Sequence, residues 1–202
     1  TAAFLPGRDD LTPALGFERG FADWVNDAAL ASPAAMSDAI AQWLDRQSGP
    51  VFLLVGLDRL RDEAVQEPGG SVVRRPRSEL TDILARGGEI PWEDRGRISA
   101  EYDAGLPEVD RAIGDVLALL QASGRYADAL VVVTSDHGEM LGEHGFVGHG
   151  GPPFEDTLDV PLVVKYPGGR DAGARVERRV SSIGVFATAL EEAHVALPDD
   201  VQ

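Results

Sequence analysis

Asp136 and His137 place a carboxylate beside an imidazole at the end of an apolar run, residues 129–134. Such a run predicts a buried strand, and α/β proteins carry their functional groups where strands end. Both side chains are ligands for divalent cations, and adjacent positions at a strand end would hold them in a fixed geometry. An Asp-His-Gly sequence also suits a turn, because Asp forms Asx turns and Gly adopts positive φ. These residues alone leave metal binding and a turn as alternatives.

Two further histidines, His144 and His149, follow on a glycine-rich stretch. Three of the four histidines in the chain therefore fall between residues 137 and 149. Binding groups concentrate on loops that a rigid scaffold positions. The clustering favours a functional site on the loop after this strand.

The overall charge excludes one class of partner. With 34 acidic and 18 basic residues, the chain carries a net charge of -16, which repels nucleic acid phosphates. The basic stretch Arg74-Arg75-Pro76-Arg77 is interpreted as a solvated loop. Because there is no cysteine, thiolate metal sites and cysteine nucleophiles are excluded within these residues.

No targeting or membrane-spanning segment is evident. No apolar run reaches the about 20 residues that cross a bilayer, and no signal peptide is present. The opening residues 1–5 look like the body of a strand, so we expect the chain to be part of a longer protein. The location of that protein stays open, with the cell envelope or secretion compatible, and no pattern specifies an oligomeric state.

Predicted strands and helices alternate, which indicates an α/β fold with a largely parallel sheet covered on both faces. Strands are predicted at 1–5, 51–56, 129–134 and 160–166. Helices are predicted at 33–47, at 98–120 with a kink or break near Leu106, and at 182–193. The apolar run 51–56 is expected to be buried on both faces. Residues 59–97 show no period and are expected to form a long irregular excursion within one domain, 1–202.

Several segments in this order resemble the sulfatases of the alkaline phosphatase superfamily. They are 1–4, 16–21, 102–104, 109–114, 124–139, 141–145, 148–150 and 160–164. The resemblance implies a three-layer α/β/α sandwich with a mostly parallel sheet, alkaline-phosphatase-like and incomplete at its N-terminus. The chain would be the middle and later part of the catalytic domain.

The resemblance also implies hydrolysis of a sulfate, phosphate or phosphonate ester by a metal-dependent enzyme. Asp136 and His137 would bind the metal, His149 would contact the ester or protonate the leaving oxygen, and Asp58 would contact substrate. His144 is expected to serve the structure of the loop or to orient its neighbours. Substrates would be small molecules or glycan- or lipid-linked esters, with no nucleic acid partner.

The Asp-His pair favours Mn or Zn over Mg or Ca. Relatives with Asp-His at this place resemble enzymes of phosphonate monoesters and phosphodiesters, whereas Asp-Asn is similar to calcium sulfatases. An imidazole ligand also shifts preference toward transition metals on chemical grounds.

The sequence departs from the family pattern in places that matter. No Cys- or Ser-x-Pro-x-Arg nucleophile segment is present, so the nucleophile is expected outside this chain, and the chain alone is expected to be inactive. Ser135 is interpreted as a strand-end hydrogen-bonding residue. Where relatives carry two histidines around Asp58, this chain has Gly56 and Leu60. These losses motivate an alternative, a non-catalytic sulfatase-fold binding or structural module with a degenerate site.

Overall fold

A computed structural model describes residues 1–8, 11, 13–57, 64–66, 72–74, 92–150 and 152–198. The strands are β1 (Ala2–Leu5), β2 (Asp23–Asn26), β3 (Leu53–Val55), β4 (Ala64–Gln66), β5 (Val72–Arg74), β6 (Val131–Thr134), β7 (Met140–Leu141), β8 (Val147–Gly148) and β9 (Leu162–Lys165). The α-helices are α1 (Pro33–Asp45), α2 (Trp92–Ala122), α3 (Glu155–Leu158) and α4 (Gly184–Glu192). Short 3-10 helices lie at Pro13–Leu15, Ala28–Ala31, Glu143–Gly145 and Pro167–Gly169.

The first sheet is parallel, in the order β2-β1-β3. Its central strand β1 is buried along its whole length, and α1 packs against it. The ring of Phe4 meets that of Trp43 edge to face, with centroids 6.2 Å apart. Trp43 and Met36 are both buried, so α1 contributes them to the core. The parallel strands and the covering helix confirm the predicted α/β class.

Strand β3 is shorter and less buried than predicted. Val51, Leu53 and Val55 pack against the core, whereas Phe52 and Leu54 on the opposite face are 51% and 42% exposed. The prediction of burial on both faces is therefore wrong for the described residues. A continuous apolar run indicates two covered faces, but the described helices cover only one face of this strand.

A kink or a break was expected near Leu106. Helix α2 is continuous through Pro107, so no break occurs there. It begins at Trp92, inside the segment 59–97 for which no regular structure was predicted. The same segment contains β4 and β5, which pair as an antiparallel hairpin. The described residues of this segment, 64–66, 72–74 and 92–97, therefore lie in strands and in a helix. Strands of three residues are too short to produce a detectable period.

Strands β6 and β9 form a separate antiparallel pair, with Val131 opposite Lys165 and Thr134 opposite Leu162. The connection between them contains a short hairpin and a single helical turn rather than a crossover helix, which permits antiparallel pairing. The sequence pattern predicted both strands but not their direction. Among the described residues, no helix has the length and apolarity to cross a membrane.

Lys165 ties the end of β9 to the segment that enters β6. Its Nζ donates to the carbonyl oxygens of Ala127 at 2.7 Å and Ala129 at 3.0 Å, and also to that of Tyr126. The same Nζ lies 4.7 Å from the centre of the Tyr126 ring. One cation thus satisfies three backbone acceptors and holds both strands of this pair in register.

Replacing Lys165 with methionine should lower the free energy of unfolding by about 1–2 kcal/mol, because three carbonyl groups lose their donor. Urea denaturation followed by circular dichroism measures this change. Arg178→Met, at an exposed position, is the matched control and should change stability by less than about 0.5 kcal/mol. Equal stabilities of the two variants would contradict the role of Lys165.

Candidate metal centre

Asp136 and His137 lie immediately beyond the carboxyl end of β6, as the sequence predicted. The Ser135 hydroxyl donates to the His137 carbonyl oxygen at 2.7 Å, which confirms Ser135 as a strand-end hydrogen-bonding residue. The backbone N–H of His137 donates to Oδ1 of Asp136 at 3.1 Å. The same residues thus form a turn and present two potential metal ligands. The two interpretations of these residues are therefore compatible.

The hydrogen bonding of His137 fixes which ring nitrogen is available to a ligand. Its Nδ1 lies 2.9 Å from the carbonyl oxygen of Gly138, and since a carbonyl only accepts, Nδ1 carries the proton. In the neutral ring the Nε2 lone pair is therefore free, and Nε2 lies 3.8 Å from Oδ1 of Asp136. The side chains of His137 and Asp136 are 40% and 62% exposed. Both potential ligand atoms are accessible to an ion.

The hairpin β7–β8 brings a second pair of groups to the same place. Its register sets Met140 opposite Gly148, so Glu139 and His149 extend side by side from its open end. Nδ1 of His149 donates to Oε2 of Glu139 at 2.9 Å, which leaves Nε2 of His149 free. The rings of His149 and His137 lie 4.0 Å apart, inclined by 30°. Met140 is fully buried and anchors the hairpin.

His137, Glu139 and His149 form a group whose potential ligand atoms all lie within 4.8 Å of one another. Two imidazoles and a carboxylate are a donor set that fits Zn, Mn or another divalent transition metal. The predicted ligands Asp136 and His137 share His137 with this group, and Asp136 adjoins it. The structure thus brings together three of the four predicted site residues. The fourth, Asp58, lies outside the described residues.

Helix α3 fits closely against the residue that follows His137. The N–H of Gly138 donates to the carbonyl oxygen of Thr157 at 2.9 Å. A Cβ atom at Gly138 would lie only 2.0 Å from the carbonyl oxygen of Asp156. Glycine is required here because of this contact, since any side chain would collide with the backbone of α3.

The loop after β1 also reaches the site. The Arg8 guanidinium lies 3.6 Å from Oδ2 of Asp136. Asn26 holds the backbone of that loop, because its Oδ1 accepts from the N–H of Arg8 at 2.6 Å and its Nδ2 donates to the Arg8 carbonyl at 2.7 Å. A fixed positive charge thus neighbours the Asp136 carboxylate, which sequence analysis did not predict.

An ion pair joins the start of α3 to the segment that precedes α4. Nη1 of Arg179 lies 2.7 Å from Oε1 of Glu155, and both side chains are largely exposed. This hydrogen bond with Arg179 lowers the pKa of the Glu155 carboxyl below its ordinary value. Exposed pairs of this kind contribute little to stability, so the contact with Gly138 matters more for the placement of α3.

No role for Glu139 was predicted, although it lies only two residues after His137. Glu139 and His149 lie three residues before and three residues after the glycine-containing loop 142–146, a spacing that would predict a hairpin with these two residues opposite one another. Arg8 and Asp156 had no such signal, because their contacts with the site join residues that lie far apart in the sequence.

The chain is similar to known proteins in sequence and in fold. The sequence profile of the sulfatase family matches residues 10–195. The multifunctional alkaline phosphatase superfamily protein PehA of Trinickia caryophylli is 40% identical over 102 residues, covering 48% of this chain and 20% of PehA. An N-acetylglucosamine-6-O-sulfatase of Bacteroides thetaiotaomicron is 32% identical over 113 residues, covering 56% of this chain and 20% of that enzyme.

Among solved structures, the phosphonate monoester hydrolase of Agrobacterium radiobacter superposes with a TM-score of 0.63 at 27% sequence identity. The match covers 81% of this chain and 39% of that hydrolase. The chain spans about a fifth of the length of the two curated relatives. Since the family profile matches residues 10–195, which are most of the chain, the chain belongs to the sulfatase family and has the α/β fold of the alkaline phosphatase superfamily.

Proposed function

We propose that this chain is part of a metal-dependent hydrolase of sulfate, phosphate or phosphonate esters. The observation that carries the proposal is the convergence of His137, Glu139 and His149 within 4.8 Å, beside Asp136. Family membership supports the reaction class. The names of the relatives, a glucosamine sulfatase and a phosphonate monoester hydrolase, support an ester of a small molecule or of a glycan as substrate.

Asp136 and His137 would hold the cation through Oδ1 and Nε2. His137 is suited to this role because the bond from Nδ1 to the Gly138 carbonyl fixes both its tautomer and its ring orientation. When bound, a divalent cation neutralises charge on the oxygens of the transferred group. Mn or Zn is preferred to Mg or Ca, because an imidazole ligand favours transition metals.

His149 would contact the ester. Its Nδ1 donates to Glu139, so Nε2 faces away from that carboxylate. With a proton on Nε2 as well, the imidazolium would donate a hydrogen bond to a substrate oxygen or give that proton to the leaving oxygen, which returns the ring to its neutral form. The ring centre lies 4.0 Å from that of His137, so a group bound to the cation would also lie within reach of His149. The nucleophile is proposed to come from a segment outside this chain.

A second candidate, a non-catalytic module with the same fold, is motivated by Gly56 and Leu60, where relatives carry histidines. The sequence of the complete protein outside this chain distinguishes the two candidates. A Cys, Ser or Thr before x-Pro-x-Arg supports the enzyme, and absence of that segment supports the module.

Removing the metal should abolish hydrolysis. We expect the complete protein to lose activity toward an aryl sulfate or a phenyl phosphonate after chelation, and to regain it with Mn²⁺ or Zn²⁺. The isolated chain should hydrolyse neither compound. Metal-dependent turnover by the isolated chain would contradict the proposed origin of the nucleophile, and stoichiometric calcium alone in the complete protein would contradict the metal preference.

A further inference from the structure

His144 lies at the tip of the hairpin β7–β8 in a backbone conformation that a histidine seldom adopts. Its φ is 54° and ψ 14°, in the left-handed region. A residue other than glycine is strained there by about 1 kcal/mol and persists when its surroundings hold it. The surroundings of His144 must therefore hold this conformation.

Two contacts hold the ring of His144. It stacks on Phe154, with centroids 3.9 Å apart and planes 13° from parallel. Its Nε2 lies 3.2 Å from Oδ2 of Asp156, and since a carboxylate only accepts, the imidazole donates this hydrogen bond. Phe154 immediately precedes α3 and Asp156 lies in its first turn, so the tip of the hairpin is attached to that helix.

The base of the hairpin is attached to the same helix. Gly138 donates its N–H to Thr157 at 2.9 Å and lies against the Asp156 carbonyl. Asp156 therefore meets the hairpin at both ends, through its backbone at Gly138 and through its side chain at His144. Glu139 immediately precedes β7 and His149 immediately follows β8, so both lie at the base of this hairpin.

We propose that His144 is a positioning residue that, together with Asp156 and Phe154, locks the hairpin β7–β8 onto α3 and so holds Glu139 and His149 beside His137. His144 itself touches neither ester nor metal. Any effect of His144 on cation affinity rests on the proposed function. The attachment of the hairpin to α3 does not depend on a bound ion.

Amide hydrogen exchange of the complete protein, measured without added metal, tests this lock directly. His144→Phe keeps an aromatic ring for Phe154 but loses the donor to Asp156, and Asp156→Ala loses the acceptor. Each should speed exchange of the Gly138 amide about 10-fold, as expected for loss of one hydrogen bond to a charged group at a partly exposed site. Val133 in β6 is the internal reference and should exchange at its original rate.

Asp156→Asn is the conservative control, because its amide oxygen can still accept the hydrogen bond from Nε2, and it should keep most of the Gly138 protection. The double variant should be no worse than either single change. If His144→Phe fails to fold, Asp156→Ala against Asp156→Asn makes the same comparison.

Unchanged Gly138 exchange in His144→Phe or in Asp156→Ala would overturn the inference. So would an equal acceleration at Gly138 and Val133, since that pattern indicates general destabilisation. A separate titration of the wild-type protein with Mn²⁺ tests the proposed function. Failure of the wild type to bind the ion would refute that function without altering the exchange result, so the two failures are distinguishable.

Discussion

Gly138→Ala is expected to destabilise the protein by about 3 kcal/mol or more, a large effect for one added methyl group. The new Cβ would lie 2.0 Å from the carbonyl oxygen of Asp156 and 3.2 Å from Cα of Thr157. Both are backbone atoms, so no side chain can rotate to make room. Either α3 moves away or the segment carrying His137 does, and in both cases the hydrogen bond from Gly138 to Thr157 is lost.

Thermal and urea denaturation of the complete protein measure this change. Gly150→Ala is a matched control in the same loop, because no atom of the described residues lies within 4 Å of the position that its Cβ would take. We expect Gly150→Ala to change stability by less than about 0.5 kcal/mol. Similar stabilities for the two alanine variants would mean that α3 does not pack against Gly138 as described.

His149→Gln is expected to lower turnover by the complete protein about 10²- to 10⁴-fold, the usual contribution of a positioned acid or base. Glutamine removes the imidazole that Glu139 orients, yet it leaves Asp136 and His137 unchanged. Metal content should therefore remain at the wild-type level while the rate falls. Steady-state kinetics and elemental analysis of the same preparation measure both quantities.

This variant also separates two roles for His149. His137, Glu139 and His149 are close enough to bind one ion together, and in that case the variant would lose metal as well as activity. Loss of the metal would identify His149 as a ligand instead of a substrate contact. His194→Asn, at the exposed end of α4 where asparagine tolerates the positive φ of 55°, is the control and should retain both metal and activity.

How much of this molecule was predictable depended on how local each feature is. The strand before Asp136 and the helix that buries Trp43 both follow from apolar patterns within a few residues. The prediction that β3 is buried on both faces was wrong. Burial of Phe52 and Leu54 would need a second layer of helices, and an apolar run does not indicate whether the described residues supply that layer.

The site divides in the same way. The pair Asp136 and His137 was visible as adjacent ligand types at a strand end. The contact between Glu139 and His149 depends on the hairpin register, and that between Gly138 and Asp156 depends on tertiary packing. Neither register nor packing is encoded in residue type alone. What the structure added is therefore the arrangement around the ligands, including the tautomers of His137 and His149.

The most direct test of the proposed metal site is calorimetric titration of the complete protein with Mn²⁺ and Zn²⁺, comparing wild type with Asp136→Ala. Loss of the carboxylate beside His137 should weaken binding at least about 100-fold. The control Asp128→Ala, at an exposed position before the opposite end of β6, should bind like wild type. One ion per chain in the wild type and none in Asp136→Ala is the result expected here. Equal affinity and stoichiometry in wild type and Asp136→Ala would contradict it.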